Sequence, residues 1–417
     1  MSKLLISVSS TVLLILTLGC SKSESGRPQN PLNLPPLGGQ ENPKNVGEIA
    51  EQDAALTEVL ATGKKAIAWL NKVNEGRDQS NRLNLADADS SNPVPPEKPS
   101  VVSTKLIWEK YNKRKSSTPV EMQAILFEGA ELTQKPPVEE KVFIEVIRSY
   151  NSSYQSAIRW LGSQKYLDYY ETNAQYDIRG YYFFKKNPDL VTGLANWLTL
   201  NDEQKQNAVT WLISMCKNSG FSFDDCKTEI DSSVAKGTAN ESYNKYLEQS
   251  QKTYNDFFDV IAVRSDLTWN SDQSVITQDF ILPEIQKVAE WLKRNVELEW
   301  QWSGFKLLVN YVEQNNFSPF IEFEKGVTPH VSGDTWNKIT MDPDYSLDDY
   351  DTQWTIRHEF GHVLGFPDCY LEFYNRETAE MVYYTIEPDN LMCAWGGHLK
   401  STHVDALKKA YANKNIK

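Results

Sequence analysis

The stretch HEFGHVLGFPDCY, from His358 to Tyr370, decides how the C-terminal part of the chain is interpreted. Residues four apart on an α-helix differ by about 40° in direction and about 6 Å along the axis. His358 and His362 would therefore face the same way, one turn apart, which is a spacing at which two imidazoles bind one zinc ion. Glu359 would point about 100° away, in a position to reach a water molecule beside the metal rather than the metal itself.

The residues after the second histidine predict a chain reversal. Gly365 can adopt a positive φ and end the helix, and Pro367 cannot donate a helical hydrogen bond and disfavours helical backbone at the residue before it. A turn there would return Asp368 towards the two histidines. A carboxylate oxygen binds zinc at about 2.0–2.2 Å, so His358, His362 and Asp368 would supply three ligands and leave a fourth position open.

Other interpretations of these residues stay open at this level. Asp368 could serve only as a cap at the end of the helix, and the histidines could make ordinary hydrogen bonds in the core. Glu377 and Glu380 lie in the range where another group of zinc peptidases places a glutamate ligand. His398 and His403 are further candidates, although their place beside the final helix favours the surface. The Gly-Pro-Asp order favours Asp368 over these four residues.

The complete spacing resembles the extended zinc motif of the metzincin peptidases, in the variant with aspartate as third ligand: His358-Glu359-x-x-His362-x-x-Gly365-x-x-Asp368. The GFPDCY portion is similar to the snapalysin-type secreted endopeptidases, which also carry Pro-Asp and a tyrosine two residues later. The resemblance implies an α+β fold, with a C-terminal metzincin-like domain made of a small twisted sheet, an active-site helix and a C-terminal helix. A mostly α-helical domain would precede it.

The resemblance also implies a reaction and roles for neighbouring residues. Peptide bonds in a protein or peptide substrate would be hydrolysed by a water that one zinc ion activates, with Glu359 as general base. Met392, in NLMCAWGG, fits the methionine turn beneath the metal, with core packing as the alternative. Tyr370 is a candidate oxyanion donor or distant ligand, unless it is only packed. The segment from Trp336 to Met341 is predicted to bind an extended substrate through main-chain hydrogen bonds.

The cysteines predict two disulfides. Four remain after Cys20, an even number, and an exported protein meets an oxidising compartment. Closeness in sequence favours the pairs Cys216–Cys226 and Cys369–Cys393 among the three possible pairings. The second pair would tie the predicted third ligand to the predicted methionine turn.

The N-terminal sequence MSKLLISVSSTVLLILTLGC predicts export. Its apolar run is too short for a permanent membrane span, and its ending resembles a bacterial lipoprotein signal in which Cys20 receives lipid. A plain secretory signal is the alternative. The prediction is a cell-envelope lipoprotein, at the outer membrane or the cell surface, held to the membrane through a lipid anchor at Cys20.

The remaining pattern divides the chain into five segments. They are residues 1–20 as signal peptide, 21–45 as a flexible Pro/Gly/Asn-rich tether, 46–100 as a helix with a Pro/Ser-rich linker, 101–255 as a helical domain of unknown role, and 256–417 as the zinc metallopeptidase domain. The helical domain could be a binding module, or an inhibitory pro-segment in which an unpaired Cys216 or Cys226 blocks the metal.

The last segment predicts a mixture of helices and strands. FKLLVNYVE and PFIEFEKG have the β-branched and aromatic content of strands, and alternation from Trp336 to Met341 indicates a third. Asp351 or Thr352 would cap the helix that carries His358. A long helix is expected in DFILPEIQKVAEWLKRNVELEW, with one apolar stripe made of Ile285, Val288, Leu292 and Val296.

Charge and composition narrow the function further. The net charge is -13 with no basic stripe, which argues against nucleic acid as a partner. The main alternative to an enzyme is a non-catalytic surface lipoprotein with a structural zinc site, which would have four protein ligands.

Overall fold

A computed structural model of the protein describes residues 54–85, 99–333 and 335–411. The predicted signal peptide, the tether, the lipid site at Cys20 and most of the Pro/Ser-rich linker lie outside these residues. Helices and small sheets alternate within them, so the fold is α+β. No helix of the described ranges is long and apolar enough to cross a membrane.

Helices form nearly all the regular structure between residues 54 and 258, because their apolar residues recur at spacings of three and four. In the longest, Phe143, Ile147, Tyr150 and Tyr154 are all buried. The helices are α1 (Ala54–Asn74), α2 (Thr104–Ser116), α3 (Val120–Leu126), α4 (Glu140–Ser163), α5 (Leu167–Thr172), α6 (Arg179–Lys186), α7 (Pro188–Gly193), α8 (Asp202–Lys217), α9 (Phe223–Ala235), α10 (Ala239–Phe258), α11 (Gln286–Glu299), α12 (Tyr350–Val363) and α13 (Ser401–Tyr411).

The strands form three small sheets, with spatial orders β1-β10-β9, β2-β3-β5-β4 and β6-β8-β7. Pairing is parallel between β3 and β5 and between β6 and β8, and antiparallel elsewhere. The strands are β1 (Ser100–Val102), β2 (Leu267–Trp269), β3 (Val275–Ile281), β4 (Gln301–Trp302), β5 (Phe305–Val312), β6 (Phe320–Phe323), β7 (His330–Ser332), β8 (Lys338–Met341), β9 (Leu371–Asn375) and β10 (Glu380–Tyr384).

One main-chain hydrogen bond links the two sheets that lie before α12 in the chain. Ile281 N–H, at the end of β3, donates to Pro319 O, just before β6, at 2.8 Å. The strands then follow one another in the order β5-β3-β6-β8-β7, and β7 lies at the edge. The apolar faces of these strands and of α11 and α12 form one core, which includes Phe280, Trp291 and Phe360.

The helical part and the C-terminal part contribute to one common sheet and one common core. Strand β1 pairs with β10, with Val101 opposite Val382. The core between α1, α2 and α4 also contains Met381 of β10. As a result, α4 and β1 lie against the sheet that follows α12, and this contact brings the helical part to the candidate site.

Two element predictions are wrong in detail. Ile285 is 62% exposed and still extended, and strand β3 continues to Ile281. The helix begins only at Gln286, because Pro283 disfavours helical backbone before it. Trp336 has a positive φ of 52° and lies in the turn before β8 rather than in the strand. The expected burial of Val288, Leu292 and Val296 is observed.

Candidate metal centre

Helix α12 carries the candidate site, and both of its ends are fixed by local chemistry. The predicted caps Asp351 and Thr352 are wrong, because both lie inside the helix. The cap is Asp349, whose carboxylate accepts the N–H of Asp351 at 3.0 Å. At the other end Gly365 has the predicted positive φ, at 95°, and an added Cβ would lie 2.0 Å from Ala262 O. Only glycine fits this position.

The turn at Gly365 brings Asp368 back to the two histidines. Asp368 Oδ1 lies 3.1 Å from His358 Nε2 and 3.4 Å from His362 Nε2. Ligands bonded to one tetrahedral zinc at about 2.0–2.1 Å are separated by roughly 3.3 Å, so these distances match two edges of such a site. Among the described residues these three form the grouping that could hold a metal ion, with their ligand atoms within 4.8 Å of one another.

Hydrogen bonds fix the orientation of both imidazoles. Nδ1 of His358 donates to Leu391 O at 2.8 Å, and Nδ1 of His362 donates to Phe366 O at 2.8 Å. A carbonyl oxygen only accepts, so Nδ1 of each ring carries a proton, and Nε2, the nitrogen nearest Asp368, can bind a metal once it is deprotonated. Backbone acceptors of this kind commonly orient histidine ligands in metal sites.

The two oxygens of Asp368 have different surroundings. Oδ2 accepts a hydrogen bond from Tyr370 Oη at 2.9 Å. Oδ1 is buried between the histidines and, like Oε2 of Glu359, has no hydrogen-bond partner among the described residues. Buried carboxylate oxygens without a donor are costly, and a cation at this point would satisfy them. The donor set of two nitrogens and one oxygen fits a zinc ion.

Without a metal, the charged groups of the site shift one another's pKa values. Burial disfavours the charged form of His362, but the negative charge of Asp368 outweighs it and raises the pKa of His362 to about 9. Burial acts against the charged form of Asp368 too, yet the two histidines bring its pKa well below the usual value. Burial raises the pKa of Glu359, partly offset by the same histidines. Without a metal, the carboxylate of Asp368 and the protonated ring of His362 stabilise each other, and a divalent ion can take the place of that proton.

Met392 lies against the active-site helix. A Cβ added at Gly361 would be 2.3 Å from Met392 Sδ. The side chain of Met392 therefore packs on the helix at Gly361, between His358 and His362. The backbone of the same turn accepts a hydrogen bond from Cys369 N–H, next to Asp368, at 3.1 Å. Met392 therefore contacts α12 between His358 and His362, and its carbonyl is bonded to the residue after Asp368.

Both predicted disulfides are present, Cys216–Cys226 and Cys369–Cys393. The second joins the residue after Asp368 to the residue after Met392. Because Cys216 and Cys226 are bonded to each other and buried, neither can act as a free thiol that blocks the metal. That form of the pro-segment hypothesis is wrong.

A cleft of about 610 Å³ opens onto the three candidate ligands and Glu359. One wall is the segment 328–331, which includes the start of edge strand β7. A second wall comes from the helical part and contains Ser152, Gln155, Ser156 and Arg159 of α4. Sequence reasoning missed this wall, although the four polar residues recur at helical spacing and mark one face of α4.

The predicted substrate strand is not available for pairing. Strand β8 is bonded to β6 on one side and to β7 on the other, and Lys338 to Met341 do not line the cleft. The segment from Trp336 to Met341 therefore cannot receive an extended peptide. Among the described strands, β7 has an unpaired edge beside the cleft, as do β1 and β9, the two edge strands of the other sheet that lines it.

The alternative ligands lie apart from the centre. Glu377 is exposed in the turn after β9, and Glu380 begins β10. His398 is exposed, whereas His403 is buried and its Nε2 donates to Asn390 Oδ1 at 2.9 Å. The expectation that His403 lies on the surface is wrong, because α13 turns this face towards the core.

Comparison of the chain with models of protein families, with curated proteins and with solved structures finds no match.

Proposed function

We propose that the protein is a zinc-dependent endopeptidase with a metzincin-like catalytic domain. The observation that carries the proposal is the convergence of His358 Nε2, His362 Nε2 and Asp368 Oδ1 at an open cleft, beside the buried Glu359. Three protein ligands with access from a cleft are typical of catalytic zinc sites, whereas structural sites have four. The motif resemblance and the position of Met392 support the same reading.

Each residue of the site would have a separate role in the reaction. When bound, the zinc ion supplies a Lewis acid that polarises the scissile carbonyl and lowers the pKa of a water molecule. Glu359 accepts the proton of the attacking water and passes it to the leaving amine. The burial that raises its pKa makes it a stronger base than an exposed carboxylate and suits this double role. The Nδ1 hydrogen bonds of His358 and His362 keep both rings in place during the reaction.

The cleft suits an extended peptide. Edge strand β7 can pair with a substrate segment through its free main-chain groups, which makes binding largely independent of substrate sequence. Side chains of α4 face the substrate from the other side. Strand β7 thus takes the role that the sequence assigned to the segment from Trp336 to Met341.

Location and partners rest on the sequence. We propose that the chain is exported to a bacterial cell envelope and held to the outer membrane or cell surface through lipid at Cys20, so that its substrates are proteins outside the cytoplasm. Neither the charge of -13 nor the acidic cleft residues favour nucleic acid.

The test is a comparison of the wild-type protein with Glu359→Gln. The wild type should contain about one zinc per chain and digest casein, and a chelator should abolish digestion until zinc is restored. Glu359→Gln should keep the zinc and lose activity by roughly 10²–10⁴-fold, because only the proton transfer is removed. Zinc-loaded wild type that digests no protein would instead support the structural-zinc lipoprotein.

A further inference from the structure

We infer that Tyr370 is a positioning residue for the third metal ligand, held in place by Arg159 of the helical part. This inference rests on the proposed zinc centre. From the sequence, Tyr370 could be an oxyanion donor, a distant ligand or a packed side chain. The contacts of its hydroxyl point to a fourth role.

The hydroxyl of Tyr370 is committed to Asp368. Its Oη donates to Oδ2 at 2.9 Å, whereas Oδ1 is the oxygen that lies near the histidines. A carboxylate can bind a metal through one oxygen or through both. With Oδ2 engaged by Tyr370, only Oδ1 is presented at 3.1 Å and 3.4 Å from the two Nε2 atoms. Tyr370 therefore favours a one-oxygen ligand and leaves the fourth position for the reaction.

The guanidinium of Arg159, on α4, lies against the ring of Tyr370. Its guanidinium carbon lies 5.3 Å from the ring centroid of Tyr370 and 4.5 Å from that of Tyr383, within the range of cation–π contacts. Nη2 of Arg159 also lies 3.4 Å from Oε1 of the buried Glu372. Tyr370 and Glu372 are two residues apart, just after Asp368. By contacting both, Arg159 fixes the segment that carries Tyr370, the hydrogen-bond partner of Asp368.

The arrangement makes the helical part a component of the metal centre. Arg159 belongs to α4, within residues 101–255, whose role the sequence left open. Helix α4 is fixed by its own core, in which Ala157, Ile158 and Leu161 are buried on both sides of Arg159. The path from α4 to the ligand is Arg159, Tyr370, Asp368, and each step is a direct contact.

The test measures zinc affinity rather than activity. Wild type and Tyr370→Phe are titrated with zinc in competition with a chromophoric chelator. Removal of a partner that orients a ligand typically weakens metal binding roughly 10–100-fold, and we expect a loss in this range. Tyr383→Phe is the matched control, because its ring meets the same guanidinium but its hydroxyl does not reach Asp368, and its affinity should equal that of the wild type.

A second readout separates positioning from general damage. X-ray absorption at the zinc edge counts the oxygen ligands, and in Tyr370→Phe the freed Oδ2 should raise that count. Metal-free Tyr370→Phe should unfold at a lower temperature than the metal-free wild type, because Oδ2 loses its donor, but circular dichroism should show it fully folded at the temperature of the zinc titration. Arg159→Met keeps the aliphatic stem and should weaken zinc binding in the same direction, with less than additive loss in the double variant because both act through one contact.

The outcomes are distinct. A wild-type protein that binds no zinc would overturn the zinc centre and this inference together. If the wild type binds zinc and Tyr370→Phe binds it as tightly with an unchanged oxygen count, the inference alone is overturned.

Discussion

Met392 Sδ occupies the space that a side chain at Gly361 would need, with 2.3 Å between the sulfur and an added Cβ. Gly361 lies one residue before His362, so the glycine allows the methionine to approach the helix between His358 and His362. Alanine at this position would push either Met392 or the helix aside.

Gly361→Ala should therefore destabilise the fold despite the better helix propensity of alanine. The propensity gain is about 1 kcal/mol, whereas overpacking of a filled core costs about 1–3 kcal/mol. Urea unfolding measures the difference. Gly76→Ala is the control, since nothing lies within 4 Å of its added Cβ, and its stability should be unchanged or slightly higher. Equal stabilities for the two variants would mean that Met392 adapts freely.

The two disulfides should differ in what they affect. Cys369–Cys393 closes 24 residues of sequence separation and joins the backbone beside Asp368 to the turn of Met392, while Cys216–Cys226 closes 10 residues in the helical part. Loop-closure entropy predicts a loss of about 3–4 kcal/mol for the first and about 2–3 kcal/mol for the second when both cysteines of a pair become serine.

Only the first change should also weaken zinc binding, because only that bridge constrains the backbone of the third ligand. Chelator competition on the two double variants checks this, and the Cys216–Cys226 variant serves as the control for lost stability alone. A similar fall in affinity in both variants would indicate that the metal centre responds to global stability instead.

The features that the sequence predicted well are local. The spacing of His358 and His362 follows from helix geometry, and the positive φ at Gly365 follows from turn chemistry between the helix and Pro367. For both of these a few neighbouring residues determine the geometry, so no knowledge of the tertiary fold is needed. The disulfide pairs, 10 and 24 residues apart, followed from closeness in sequence.

The features that it missed depend on contacts between distant segments. Arg159 reaches Tyr370 because the helical part packs against the sheet of β1, β10 and β9. The alternation from Trp336 to Met341 identified a strand but could not tell that both of its edges are paired, since register and neighbours are set by the whole sheet. The polarity of His403 suggested exposure, while the packing of α13 buries it.

Buried His403 gives the protein an acid sensitivity outside the metal ligands. Its Nδ1 accepts Lys400 N–H at 2.9 Å and its Nε2 donates to Asn390 Oδ1 at 2.9 Å, so the folded state holds the neutral ring. Burial lowers its pKa from 6.5 to about 4. Between these values the unfolded chain binds a proton that the folded chain does not, so this residue lowers stability as the pH falls from 6.5 towards 4.

The expected loss of folding free energy from His403 is about 3 kcal/mol. It is complete at about pH 4 and absent at neutral pH. Asp351, whose pKa burial raises to about 6, titrates in the same window with the opposite sign, so the comparison must be made against a variant. His403→Gln loses the hydrogen bonds and should be less stable than the wild type at pH 7. At pH 4.5 this deficit should narrow by about 2–3 kcal/mol, since glutamine has no proton to gain. Urea unfolding at the two pH values measures the deficit, and a deficit that does not change with pH would show that His403 has the same pKa in the folded and unfolded states.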